Sequence, residues 1–202
     1  LRGFPQSVIG MLLAARGAGT LTGFTIMAFA TRIDPRIPVF LGFSLQAFSG
    51  FMIASFSIDL TAFDVAWTSY VQGFGVGLIW VPVNVIAFST LRSDYVPDGT
   101  AILHLIRNMG SSVFISICII VALRSAKITY ANLTEVVNPY NKLLEVPFLM
   151  GGWSLDNSSA ISAFSAEMSR QSLMNGYLTA FFVFSLLAVV AIPLVFLIQM
   201  PK

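Results

Sequence analysis

Five stretches of the chain are each long and apolar enough to cross a lipid bilayer. A hydrocarbon core needs about 20 predominantly apolar residues in one helix. The clearest stretch, residues 65–91, contains no Asp, Glu, Lys or Arg. The predicted helices are residues 7–31, 38–58, 65–91, 99–123 and 176–200. The sequence therefore predicts an all-α fold in which residues 1–202 form one polytopic membrane domain with five transmembrane helices.

Composition supports lipid as the solvent. Apolar residues make up 56% of the chain, charged residues 10%, and the mean hydropathy is +0.84. Soluble domains have about 25% charged residues, which cover most of their exterior. The net charge is only +2 and no Lys/Arg run occurs, which argues against nucleic-acid binding. A single cysteine, Cys118, allows neither a disulfide framework nor a thiolate metal site.

The charges between the apolar stretches predict the orientation in the membrane. Arg32, Arg36 and Arg92 lie in short loops, whereas the loop with Asp59 and Asp64 is only acidic. Because basic short loops stay in the cytoplasm, the loops with the arginines are predicted to be cytoplasmic.

The polar segment 125–175 is then predicted to be an extracytoplasmic loop. Within it, residues 158–172 carry Ile161, Phe164 and Met168 at helical spacing, which predicts a short amphipathic helix. Five helices leave the two termini on opposite sides, whereas most transporters have an even number of helices built from paired repeats. The chain also begins without Met. We therefore expect a portion of a larger transporter.

Two arginines lie deep within predicted helices. Arg16 and Arg107 are each about ten residues from the helix start. A charge at mid-membrane costs at least about 2.5–3.5 kcal/mol, so such residues usually face the bundle interior or a water-filled cavity. One interpretation is a contact with substrate or a gate. The other is an arginine satisfied by helix carbonyls or reaching an interface. His104, one turn before Arg107, fits either a proton relay or a structural hydrogen bond.

Glycine pairs on two helices predict close helix packing. Gly73 and Gly77 form a G-x-x-x-G pair on the third helix, and Gly19 and Gly23 form another on the first. Small residues at this spacing let helix backbones approach each other. Pro82 removes one backbone hydrogen bond and is predicted to bend the third helix.

Trp80 and Asn84 lie four residues apart on the third helix and therefore share a face. If this face borders a cavity, the two side chains suit an apolar or cationic ligand. The alternative is that they take part in ordinary helix packing.

The sequence contains no residues that support an enzymatic function. No G-x-S-x-G motif occurs, the only histidine is His104, and the helices hold no cluster of metal ligands. The sequence therefore predicts no catalytic residue and no metal site.

Four segments, in this order, carry a family resemblance. They are Arg16-Gly17 with residues 31–36, residues 72–82, residues 107–112 and residues 132–141. With them the chain resembles the C-terminal portion of the fourteen-helix drug:proton antiporters of the major facilitator superfamily, the EmrB/QacA type. The resemblance implies the last five of fourteen helices. The first, third and fourth helices would line the central cavity, which places four residues on the substrate path: Arg16, Trp80, Asn84 and Arg107.

The resemblance also implies a cytoplasmic gating loop at Arg32, Asp34 and Arg36. Charges where two helices turn can pair in one state and separate in the other, although the arginines could simply fix topology. Two positions depart from the family pattern. Met27 stands where a glycine is usual before the loop, and Thr179 stands where many members carry an acidic residue in the last helix.

The implied function is proton-driven export of amphipathic compounds from the cytoplasm across the bacterial inner membrane. No cofactor is expected beyond the proton gradient, and the coupling carboxylates would lie in the missing N-terminal half. The expected partners are the lipid bilayer, that N-terminal half, a small amphipathic substrate and a periplasmic adaptor, with segment 125–175 as its contact. Two alternatives stay open: a non-enzymatic five-helix assembly module, and a major-facilitator transporter of a non-drug substrate.

Overall fold

A computed structural model describes residues 5–30, 34–57, 61–89, 91–136 and 158–196. Its five helices are α1 Gln6–Phe29, α2 Arg36–Ala54, α3 Ala62–Phe88, α4 Val96–Val136 and α5 Ser158–Phe196. A single 3₁₀ turn, Ser93–Tyr95, leads into α4. The described residues contain no strand, and all five helices are long and apolar enough to cross a membrane. The predicted fold class, an all-α membrane bundle, is confirmed.

Local sequence explains where two of the helices begin. Thr61 and Asp64 form a reciprocal cap at the start of α3. The Asp64 amide donates to the Thr61 hydroxyl, and the Thr61 amide donates to the Asp64 carboxylate at 2.9 Å. At the start of α2, the Asp34 carboxylate accepts from the Arg36 amide at 3.0 Å. Both carboxylates satisfy backbone donors that have no partner within the helix.

The last two helices are longer than the sequence predicts. Residues 125–136 and 158–175, predicted as loop, belong to α4 and α5. The apolar stretch ends near Leu123, but neither Pro nor Gly occurs between Leu123 and Val136, so the helix continues past the apolar residues. The amphipathic helix predicted at residues 158–172 is the first part of α5. Gly176, predicted to start that helix, lies inside it.

Several predictions concern residues outside the described ranges. They are Arg32 of the gating loop, residues 137–157 of the extracytoplasmic loop, and the predicted helix ends at residues 31, 58 and 197–200.

The helices divide into two compact units. The two-helix unit, residues 118–180, holds the later part of α4 and the earlier part of α5. The five-helix unit, residues 2–117 and 181–202, holds α1, α2, α3 and the remaining parts of α4 and α5. In the five-helix unit, α3 packs against both α1 and α2.

Burial in the described residues follows side-chain size more than polarity. The largest fully buried side chains are only Val39, Thr68, Pro82, Ser49, Ser172 and Ser185. Large apolar side chains such as Met11 and Phe29 are 76% and 86% exposed. A water-soluble fold would bury those first. Small residues inside and large apolar residues outside are typical of helices that pack in lipid.

Candidate functional site

The crossing of α1 and α3 in the five-helix unit is built from the four predicted glycines: Gly19, Gly23, Gly73 and Gly77. A β-carbon at Gly77 would lie 2.6 Å from the Thr20 carbonyl oxygen, and one at Gly73 would collide with the carbonyl oxygen of Arg16. The contacts advance in the same direction along both helices, so α1 and α3 run parallel. The crossing therefore fixes the backbone of Arg16 directly against α3.

The α2–α3 contact of the same unit runs antiparallel and carries a buried amide. The Gln46 Nε2 atom donates to the Gln72 carbonyl oxygen at 2.6 Å, and Gln46 is only 5% exposed. Gly75 makes room for it, since a β-carbon there would lie 3.0 Å from Nε2. This bond sets the orientation of the Gln46 amide, because a buried polar group without a partner is costly.

A cavity of about 340 Å³ opens where these helices meet the ends of α4 and α5 that belong to the same unit. Its lining combines apolar side chains with one guanidinium and one amide: Arg16, Phe43, Gln46, Val76, Phe114, Phe184, Leu187 and Ala188. Phe114 and Phe184 pack against each other with ring centroids 6.2 Å apart. Small-molecule sites are typically about 300–1,000 Å³, mostly apolar, with a few polar groups. The cavity suits an amphipathic molecule whose polar end accepts hydrogen bonds.

A second feature of the five-helix unit joins α3 and α4. The Arg107 guanidinium carbon lies 3.9 Å from the centroid of the Trp80 ring, which is a cation–π geometry. Its NH1 nitrogen is buried and has no hydrogen-bond partner among the described residues. Trp80 is 42% exposed, so one side of the pair is open. The pair can stack on an apolar ring, or the unused NH1 donor of Arg107 can donate a hydrogen bond to an anionic group.

Asn84 and His104 have other surroundings. The Asn84 side-chain amide donates to the Trp80 carbonyl oxygen at 2.7 Å, in the turn where Pro82 supplies no N–H. Helix α3 nevertheless continues through Pro82 to Phe88. His104 is exposed on α4, one turn before Arg107.

The predicted substrate-path residues do not form one group. Arg16 lines the cavity, whereas Trp80, Asn84 and Arg107 are joined to one another and are absent from its lining. Sequence reasoning missed most of the lining. Gln46 had a usable signal, as the only side-chain amide in the predicted helix 38–58, which contains no charged residue. Phe43 and Phe114 had none, because phenylalanine is frequent throughout the chain.

Of the gating-loop residues, Asp34 accepts a hydrogen bond from the backbone amide of Arg36, the first residue of α2, and Arg32 lies outside the described ranges. No group of three His, Cys, Asp or Glu side chains close enough to hold a metal ion occurs in the described part of the chain.

Curated relatives of the chain are resistance exporters. The fatty acid resistance protein FarB of Neisseria gonorrhoeae is 24% identical over 94% of this chain and 38% of its own length. The multidrug export protein EmrB of Haemophilus influenzae is 25% identical over 73% of the chain and 29% of its own length. The colistin resistance protein EmrB of Acinetobacter baumannii is 29% identical over 46% of the chain and 20% of its own length.

The chain therefore spans less than two fifths of the length of the curated relatives it matches. No protein-family model and no solved structure matches it. The resemblance read from the ordered motifs is confirmed by the relatives. The chain is similar to the EmrB and FarB resistance exporters, which agrees with the family that its motifs resemble.

Proposed function

We propose that this chain is the C-terminal part of a secondary active transporter that exports amphipathic compounds across the bacterial inner membrane. The observation that carries the proposal is the cavity of the five-helix unit, whose apolar walls hold one arginine and one fixed amide. The relatives are named for multidrug export and for fatty acid resistance, which supports export of drugs or fatty acids. The proposal includes no enzymatic step and no bound cofactor, since the proton gradient supplies the energy.

Within this proposal Arg16 contacts the polar end of the substrate. Its backbone is held against Gly73, and its side chain lines a wall that is otherwise mostly apolar. Arg107 and Trp80 form a second contact on the substrate path, because the buried NH1 nitrogen is a donor in need of an acceptor. An unmet buried donor costs about 1–3 kcal/mol, so binding an acceptor there is favourable.

The loop with Arg32, Asp34 and Arg36 acts as a gate in this proposal, by exchanging ion pairs as the helices rock between two states. The expected partners are a further membrane half with the coupling carboxylates and a periplasmic adaptor. Without that half, the cavity of the five-helix unit would form only one side of the path.

Export can be tested in an efflux-deficient bacterium that expresses the protein from its native gene. Growth inhibition and efflux are measured for a long-chain fatty acid, a cationic dye and a neutral amphiphile. Resistance to at least one of them, lost when a protonophore collapses the proton gradient, supports the proposal. No resistance and no efflux of any compound would contradict export. Efflux that persists after the protonophore would contradict proton coupling alone.

The role of Arg107 has its own test in the same cells. Arg107→Ala is expected to abolish resistance while the amount of protein in the membrane stays normal, because the substrate path loses one of its two charged contacts. Arg92→Ala is the matched control, since the Arg92 side chain is 78% exposed and pairs with Asp94 at 3.4 Å. If the Arg107 variant keeps full resistance, Arg107 has no part in export.

A further inference from the structure

A second cavity, of about 360 Å³, lies between α4 and α5 in the two-helix unit. Its lining follows α4 from Leu123 to Tyr130, which is about 10 Å along the helix. Leu123 and Leu173 contribute apolar surface. Lys127, Tyr130 and two serines contribute hydrogen-bond donors, and no carboxylate lines the cavity among the described residues. One cation and several hydroxyls beside leucines form an amphipathic lining with a positive charge.

The buried serine is the observation that points to a ligand. Ser172 is 2% exposed, and its hydroxyl has no hydrogen-bond partner. Other polar groups on the same helix pair are satisfied across it. Ser125 and Thr179 share a hydrogen bond of 3.0 Å, and the Asn175 amide donates to the Thr129 hydroxyl at 2.7 Å. Since buried polar groups are normally bonded, an unmet hydroxyl at a cavity wall marks a place for an acceptor.

Charge gives the chemistry of that acceptor. Lys127 brings a positive charge to the cavity. Glu167, a nearby acidic residue on α5, is held by two bonds of 2.7 Å from Arg170 and one of 2.9 Å from Gln171. An ammonium beside hydroxyl donors favours a carboxylate or a phosphate, which forms charge-assisted hydrogen bonds. The adjoining leucines favour an alkyl chain, since burial of apolar surface is favourable.

We propose that this cavity binds the anionic head and the first carbons of one amphiphile, with Lys127 and Ser172 holding the head. Its position agrees with this ligand, because Lys127 lies just beyond the apolar stretch of α4 that ends near Leu123. Lysines at such positions extend their ammonium groups toward the head-group layer. Two sources supply this chemistry: an anionic phospholipid of the membrane and a free fatty acid. The site is distinct from the cavity lined by Arg16 and does not depend on export.

Binding is measured by native mass spectrometry of the purified protein, expressed from its native gene and titrated with phosphatidylglycerol, oleate or phosphatidylcholine. We expect an anionic probe to bind more tightly than phosphatidylcholine. Lys127→Gln is expected to weaken that binding about tenfold and Ser172→Ala about threefold, because they remove a charged and a neutral hydrogen bond. Arg124→Gln is the matched control, as it removes an exposed basic residue of α4 that does not line the cavity.

Each result decides the proposal. If only phosphatidylglycerol binds tightly, the ligand is a membrane lipid. If only oleate binds tightly, the ligand is a free fatty acid. If both bind tightly, the site recognises the anionic head and alkyl chain that the two share. Equal binding of all three probes overturns the proposal, as does an equal loss in the Lys127 and Arg124 variants. Should Lys127→Gln fail to fold, Ser172→Ala decides alone, because removing an unpaired hydroxyl leaves stability unchanged or raised. Unweakened binding in that variant overturns the site.

Discussion

The α1–α3 contact of the five-helix unit and the α4–α5 contact of the two-helix unit solve the same packing problem differently. Four glycines bring α1 and α3 together, with backbone close to backbone. Among the described residues, the α4–α5 contact has one such position, Gly176 against the Ala122 carbonyl. It has two hydrogen bonds between side chains of the facing helices, whereas α1 and α3 share one, between Thr22 and Tyr70, in the described part of the chain. Lipid supplies no hydrophobic drive between helices, so close packing and polar bonds remain as the sources of association.

The difference separates a rigid contact from an adjustable one. The four glycines have no side chain that can change rotamer, so the backbone of Arg16 is held where Gly73 places it, although the Thr22 and Tyr70 hydroxyls also share a 3.2 Å hydrogen bond between these helices. Hydroxyls and amides can exchange partners at small cost, since a hydrogen bond between membrane helices averages about 0.6 kcal/mol. The candidate substrate cavity lies in the unit with the four-glycine contact, and the proposed amphiphile site lies in the unit where α4 and α5 share two hydrogen bonds between described side chains.

The largest effect is expected from Gly73→Ala. A methyl group there collides with the Arg16 carbonyl oxygen, and neither backbone can yield cheaply. Overpacking costs about 1–3 kcal/mol, and a collision between two backbones lies at the upper end of that range, from which the gain of about 1 kcal/mol from replacing a helical glycine is subtracted. The free energy of unfolding in mixed micelles is therefore expected to fall by about 2 kcal/mol.

Gly17→Ala is the matched control, because nothing lies within 4 Å of its added β-carbon. It is expected to leave stability unchanged or to raise it by up to about 1 kcal/mol. If both variants have the same stability, the α1–α3 contact does not depend on backbone proximity, and the contrast between the units disappears.

A smaller effect is expected in the two-helix unit. Thr129→Val and Asn175→Ala each remove one partner of a 2.7 Å hydrogen bond. A double-mutant cycle on unfolding is expected to give a coupling energy of about 0.6 kcal/mol, and no more than about 1.7 kcal/mol. A coupling energy above about 2 kcal/mol would mean that this hydrogen bond cannot exchange partners at small cost, which would contradict the comparison.

The sequence is sufficient to predict the five helices and the glycines at the close contact of α1 with α3. Apolar length predicts five spans, and glycine spacing identifies the residues that meet at the α1–α3 crossing. It fails where the physical signal is indirect. The apolar stretch ends near Leu123, but backbone hydrogen bonding continues to Val136 because no residue there opposes a helix. Gly176 suggests a helix start by composition, yet it serves a close approach to Ala122.

The candidate site was predictable only in its charged part. A charge within an apolar helix is conspicuous, so Arg16 and Arg107 are found at once. That they belong to different groups depends on helix rotation and neighbours, which one sequence does not specify. Gln46 is detectable as a lone amide, whereas the phenylalanines of the cavity cannot be told from those that face lipid.

The central claim is that the cavity of the five-helix unit carries the substrate, with Arg16 at its polar end. Initial rates of proton-driven uptake into inverted membrane vesicles, measured for Arg16→Gln beside Arg92→Gln, test it most directly. We expect the Arg16 variant to lose at least about tenfold in rate, since a bond worth 1.4 kcal/mol or more is removed. The Arg92 variant should keep the wild-type rate. Transport by Arg16→Gln at the wild-type rate, with equal protein in the vesicles, would contradict the claim.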